Sequence, residues 1–290
     1  MNERAMVLGS SAQLVGIATL PDGGAVDRER PALIVLNAGH VHRVGPHRLH
    51  VRLNRRVASR GFVAVRFDFS GIGDSPARAD HRPVDESAPL EVREVMDRIE
   101  STLGIRRFCV AGLSSGAVIS LASALVDRRV VGACMMNPQV LAPTEEWSRH
   151  VERLSDARIY ARNLLQPVSW GKLFSGRTNY RRLARAVWYR LAPRRDASQL
   201  ERVADQARPV VDNLLKLDTK VLMVFSGKDR ALEHFEALLG RGWRERLGAN
   251  AEVAILPDAN HTFARPADLQ GAIDAVESWM LRCWPAGGHA

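Results

Sequence analysis

Between Phe108 and Val126 the chain runs for nineteen residues without a charge, which is the length of a membrane span. The run also holds Gly112, Ser114, Ser115, Gly116, Ser120 and Ser123. A break at Gly112–Gly116 divides it into two shorter pieces, and flanking glycine arbitrates between a span and a buried strand. The spacing predicts a strand over Phe108–Leu113, a tight turn, and a small-residue helix over Ala117–Leu125. A chain built around such a unit needs further strands and helices to bury both faces of the sheet it starts.

Those elements recur along the sequence. Short apolar runs rich in β-branched residues stand at Leu14–Leu20, Ala32–Leu36, Val63–Phe67, Val130–Met135, Val221–Phe225 and Ala251–Leu256. Helical spacing appears at Leu49–Arg60, Leu90–Leu103 and Leu269–Leu281. Strands alternating with helices imply βαβ units and a mostly parallel α/β sheet flanked by helices. The central runs are continuously apolar, as buried parallel strands require. No internal repeat or low-complexity tract interrupts them.

Residues 141–219 read differently. They contain no convincing strand, and they hold fifteen Lys/Arg against nine Asp/Glu, a net of +6 out of +9 for the chain. Gly171–Arg195 carries eight basic residues and no acidic one. Tyr180, Leu183, Val187, Trp188 and Leu191 recur at helical spacing, with Arg181, Arg182, Arg185 and Arg190 elsewhere, the pattern of a basic amphipathic helix. The expected organisation is a core of residues 1–140 and 220–290, with 141–219 inserted as a helical cap over the carboxyl ends of the strands. The basic face is open to three readings: a solvated surface, a contact for a phosphate-bearing or acidic acyl carrier, or a rest on anionic lipid. Trp147, Trp170 and Trp188 pack the cap or wall an acyl pocket.

Composition sets outer limits. The chain has 290 residues, 46% apolar and 25% charged, which is ordinary for a globular protein and excludes collagen-like, disulfide-scaffold and wholly disordered chains. Cys109, Cys134 and Cys283 are too few and scattered for a disulfide framework or a zinc spacing. The N-terminal Met-Asn-Glu-Arg-Ala-Met lacks the apolar core of a signal peptide. A cytoplasmic protein without a transmembrane segment is expected. The excess of Arg over Lys follows either from coding bias or from a partner bearing phosphate or carboxylate. No nucleic-acid reader motif accompanies it.

Chemistry enters with Gly112-Leu113-Ser114-Ser115-Gly116. A serine at a sharp strand-to-helix turn needs small neighbours, because the chain doubles back beside it. The turn lifts the hydroxyl clear of the sheet, and the helix N-terminus presents amides to a developing oxyanion. A nucleophilic serine needs a base, and the base an orienting acid. His261 follows an apolar strand through Pro257-Asp258-Ala259-Asn260, and Asp229 follows another through Ser226-Gly227-Lys228. The chain order Ser114, Asp229, His261 is the one expected on a sheet of this kind. Asn137, just past the Val130–Met135 run, stands where another carboxylate could serve and is not one. Asp258 reads as a loop brace.

These motifs make the chain resemble an α/β hydrolase over essentially its whole length. Asn37-Ala38-Gly39-His40, the segment Arg43 to Arg48, the run Arg66 to Ser75 and His261 to Pro266 resemble the hydrolases associated with exosortase systems, and more loosely the serine aminopeptidase-like group. The resemblance implies an oxyanion hole of two backbone amides, one from Ser115 and one from the loop after Ala32–Leu36. Where relatives often carry His-Gly, this chain has Asn37-Ala38-Gly39-His40, so Gly39 and His40 both remain candidates. The implied reaction is cleavage of a carboxylic ester or thioester of a small-molecule acyl substrate through an acyl-enzyme, with no cofactor. Two other readings stay open: an acyltransferase using the same acyl-enzyme, and a hydrolase-like binding protein without catalysis.

Other signals point elsewhere or nowhere. His40, His42, His47 and His50 crowd together, but no carboxylate or thiol lies at ligand spacing in the sequence nearby, so no metal is expected. Gly71-Ile72-Gly73 lacks the third glycine of a dinucleotide loop, because Pro76 stands there. Asp68 and Asp74 are expected to shape that turn through side-chain bonds to backbone.

Overall fold

In a computed structural model of the chain, residues 2–9, 13–138, 219–239 and 242–287 are described. All of these outside 233–239 belong to one compact unit, and the following concerns that unit. Its eight strands are β1 (Asn2–Leu8), β2 (Leu14–Leu20), β3 (Ala32–Val35), β4 (Ala64–Phe67), β5 (Phe108–Leu113), β6 (Val130–Met136), β7 (Lys220–Ser226) and β8 (Ala251–Leu256). They form one sheet in the order β1-β2-β4-β3-β5-β6-β7-β8. The pairs β1–β2 and β2–β4 are antiparallel, and every other pair is parallel. The fold class is therefore the expected one.

Alternation along the strands separates two cores. In β3, Leu33 and Val35 face one cluster while Ala32 and Ile34 face the other, because successive strand side chains point to opposite faces. The first cluster takes Leu49, Leu53 and Val57 of helix α1 (Leu49–Ala58) and Leu269, Ile273, Val276 and Trp279 of helix α6 (Pro266–Cys283). The second takes Val92, Met96 and Ile99 of helix α2 (Val84–Leu103) and Ala124 of helix α3 (Ser115–Val126). Covered on both sides, β3, β4 and β5 are buried throughout, which is why their sequences carry no polar alternation. Helices α4 (Arg230–Leu239) and α5 (Trp243–Arg246) follow β7.

Four elements depart from the sequence reading. Strand β1 is unexpected: Asn2-Glu3-Arg4 is polar and its first four residues are exposed. It holds through pairing with β2 over Asn2–Leu8 and through Glu3, which is ion-paired to Arg55 at 2.9 Å and to the buried Arg66 at 3.2 Å. Helix α2 starts at Val84 rather than Leu90, so Pro89 lies inside it, at the loss of one intrahelical bond. Helices α4 and α5 are not among the expected elements.

The uncharged run Phe108–Val126 divides at Ser114 into β5 and α3. Among the described residues no helix is long and apolar enough to cross a membrane. Cys109 and Cys134 are free and buried, and burial pushes the Cys134 thiol up to about 12. The expected cap, 141–219, with Trp147, Trp170, Trp188 and its arginines, lies outside the described residues.

Candidate active site

The parallel strands β5, β6, β7 and β8 deliver their carboxyl ends side by side, and the candidate residues follow those ends. Ser114 sits at the β5–α3 turn with φ 62° and ψ −117°, a conformation that costs an L-residue about 1–3 kcal/mol. The glycines around it explain the motif spacing. A Cβ on Gly112 would lie 2.2 Å from the Gly116 carbonyl carbon, and one on Gly116 would lie 2.5 Å from the Asn37 carbonyl oxygen. The Ser114 amide donates to the Met136 carbonyl at 2.9 Å, tying the turn to the end of β6. Ser115 opens α3, so its amide has no acceptor within the helix.

Asp229 and His261 meet. His261 Nδ1 and Asp229 Oδ2 are 2.7 Å apart, and the Arg230 amide donates to Asp229 Oδ1 at 2.8 Å. The loops bearing them are zipped together by Gly227 N donating to Leu256 O at 2.8 Å and Lys228 N to Ala259 O at 3.0 Å. Glycine is needed at 227 because a Cβ there would stand 2.3 Å from the Pro257 carbonyl oxygen. The hydrogen bond that His261 donates to Asp229 raises the His261 pKa above the ordinary histidine value, against burial, which lowers it. With Nδ1–H given to the carboxylate, Nε2 is the free base nitrogen, and it has no hydrogen-bond partner among the described residues. Ser114 Oγ and His261 Nε2 are not hydrogen-bonded to each other, and catalytic bonds of this type often tighten only with substrate present. Asp258 pairs with Lys228 at 3.3 Å on the surface, as a loop brace would.

The loop after β3 shows what each oxyanion candidate does. Val41 N donates to Ala38 O at 3.1 Å, closing a turn with Gly39 and His40 at its two central positions. The Gly39 amide, at φ 58°, donates to Ser115 Oγ at 2.9 Å. The His40 amide has no partner among the described residues. The histidines beside it disperse: His47 Nε2 lies 3.2 Å from Thr262 Oγ1, next to His261, while His50 is fully buried with neither ring nitrogen well paired.

Asp68 organises the same rim. It accepts from Asn37 Nδ2 at 2.9 Å, from the Arg43 amide at 2.6 Å and from the Asp74 amide at 3.2 Å, so it shapes the turn as expected. Asp74 instead directs its carboxylate to the Arg43 guanidinium at 2.6 Å. The fold gathers His42, Asp68 and Asp74 within ligand-atom distances of 4.8 Å, which sequence spacing around the histidines could not show. Arg43 pairs with both carboxylates, so a protein cation already offsets part of their charge.

One residue of this region escaped sequence reasoning except as a missing carboxylate. Asn137 is fully buried, with φ 40°. Its Nδ2 donates to Ser226 Oγ at 2.7 Å and to the His261 carbonyl at 2.8 Å, and its Oδ1 accepts from the Ser226 amide at 2.7 Å.

Residues 34–270 match the family model described as "Alpha/beta hydrolase family". The chain belongs to the alpha/beta hydrolase family. Among solved structures it is similar to the Pyrococcus furiosus esterase Pf2001, at 14% identity and TM-score 0.60 over 98% of this chain and 91% of that one. It is also similar to Est1E from Butyrivibrio proteoclasticus, solved with ferulic acid bound, at 17% identity and TM-score 0.61 over 96% and 98%. XC6422 from Xanthomonas campestris, described as an α/β serine hydrolase without lid, matches at 16% identity and TM-score 0.59 over 99% and 97%. At these identities the likeness speaks to fold. No curated protein matches the chain. Membership of this family supports hydrolase activity.

Proposed function

We propose that this alpha/beta hydrolase is a serine esterase or thioesterase working through Ser114, His261 and Asp229. The observation that carries the reading is the 2.7 Å pairing of His261 Nδ1 with Asp229, with Ser114 held in a strained turn at the carboxyl end of β5 in the same sheet. His261 Nε2 removes the Ser114 hydroxyl proton as Oγ attacks the acyl carbonyl carbon. The protonated imidazole then gives that proton to the departing alcohol or thiol. Water, deprotonated by the same nitrogen, attacks the acyl-enzyme and releases a carboxylic acid and Ser114. Asp229 keeps the proton on Nδ1 throughout, so the nitrogen facing the serine stays basic.

The oxyanion is received by the Ser115 amide and by the turn after β3. Gly39 and His40 are the two candidate donors there; the His40 amide is unengaged, whereas that of Gly39 is held by Ser115 Oγ. One such donor is worth about 3–4 kcal/mol in the transition state. That one solved relative is an esterase and another holds ferulic acid, a carboxylic acid, favours an ester substrate here. We assign 141–219 as the helical cap of this enzyme on its sequence pattern. The test is labelling by a fluorophosphonate probe together with hydrolysis of p-nitrophenyl acetate. The wild type is expected to label and turn over, and Ser114→Ala to do neither. A folded wild type that neither labels nor hydrolyses ends the reading.

A further inference from the structure

We propose that Asn137 is a positioning residue that sets His261 against Ser114, an inference resting on the triad read above. It stands at the end of β6, beside Met136, and the two consecutive residues reach in opposite directions. The Met136 carbonyl accepts the Ser114 amide at 2.9 Å. The Asn137 side chain donates to the His261 carbonyl at 2.8 Å. One peptide unit of β6 thus spans from the nucleophile's backbone to the base's backbone, while Asp229 grips only the imidazole.

The amide is fully committed. Its second N–H goes to Ser226 Oγ at 2.7 Å, and its oxygen takes the Ser226 N–H at 2.7 Å. Ser226 Oγ, having accepted that bond, donates its own proton to the Asn260 carbonyl at 2.8 Å. Asn137 and Ser226 therefore hold the carbonyls of residues 260 and 261 in succession. The Asn137 amide donates to Val224 O at 2.8 Å, which anchors the backbone in place. Chemistry selects asparagine here: the site needs two N–H donors and an acceptor on one short side chain, and Asn tolerates the left-handed φ of 40° better than most residues. A carboxylate would match the shape but offers no donor to the His261 carbonyl.

The experiment compares Asn137→Ala, Asn137→Asp and Ser226→Ala with the wild type, using p-nitrophenyl acetate and counting active sites by fluorophosphonate labelling. A residue that only stabilises the fold changes how many sites are active and leaves kcat per labelled site alone. The expected result is a fall in kcat per labelled site of about 10- to 100-fold in both Asn137 variants, the effect of misplacing a reacting group by about an ångström, with KM within about two-fold. The acid limb of the pH profile should stay where the wild type has it, because the Asp229–His261 bond remains. Ser226→Ala keeps the bond from Asn137 to His261 and loses its second anchor, so a smaller fall of about three-fold is expected. Any folded Asn137 variant within two-fold of the wild type per labelled site overturns the proposal. Should neither Asn137 variant fold, an unchanged kcat in Ser226→Ala overturns it. A wild type that itself fails to label removes the triad and this inference with it, and is told apart by that failure.

Discussion

Ser114 and His261 show how single residues carry cost for a purpose. Ser114 holds φ 62° and ψ −117°, which glycine would adopt without strain. Ser114→Gly is therefore expected to be more stable than Ser114→Ala by about 1 kcal/mol, the strain relieved less the extra freedom glycine gains in the unfolded chain. Denaturant unfolding of the two variants measures it, and equal midpoints would show that the turn stores nothing. His261 has a folded pKa raised chiefly by its bond to Asp229. The base must be neutral to act, so the acid limb of kcat/KM is expected above the ordinary histidine value of about 6.5. The linked stability has the opposite slope: it is present below the unfolded pKa and lost as pH rises through the folded one. Asp229→Asn should move that limb down and lower kcat by about 10⁴-fold. A pH–rate profile of both proteins decides it; a limb left in place would separate Asp229 from His261.

At the scale of elements, strand exits are joined by glycine. Gly116 lets α3 approach the loop after β3, and Gly227 lets the exit of β7 lie against that of β8. Both contacts are with backbone oxygen, which cannot rotate away as a side chain could. Gly227→Ala should therefore push the two exits apart, lowering stability by about 1–3 kcal/mol and separating Asp229 from His261. Paired thermal unfolding and kcat measurements are expected to fall together, and a variant with wild-type values in both would show the two loops to be independent. Seven of the eight strands are legible in the sequence as short apolar runs, most continuously where helices bury both faces of parallel strands, as in β3 and β5. Strand β1 is illegible for the complementary reason. It is an edge strand, mostly exposed, held by backbone pairing and by Glu3 contacts to Arg55 and Arg66 that no local pattern announces.

For the molecule as a whole, the two-faced core accommodates one group that resists acid. His50 lies fully buried in α1, and burial lowers its pKa to about 4. Between about pH 6.5 and 4 the unfolded chain therefore binds a proton that the native one refuses, so stability falls as pH drops through that window. From pH 7.5 to pH 5 this amounts to about 2 kcal/mol. His50→Leu is expected to lose less stability than the wild type over that interval by about this amount, read from urea unfolding at the two pH values. Parallel losses would place the acid sensitivity in other groups.

The order of strands and helices, the break at Gly112–Gly116 and the identity of Ser114, Asp229 and His261 as candidates all follow from patterns within a few residues: apolar continuity, helical spacing, small residues beside a turn. The fold class follows from them, because alternating strands and helices leave few ways to bury both faces of a sheet. What needed three dimensions was every relation between distant segments. The bond between Asp229 and His261 spans 32 positions, the meeting of His42 with Asp68 and Asp74 spans up to 32, and Asn137 reaches across 124 to His261. Asn137 illustrates the reason best. Its sequence neighbourhood says only that it is not a carboxylate, while two of its three side-chain partners are backbone groups, which every residue carries and which only the packing of β6, β7 and β8 brings within reach.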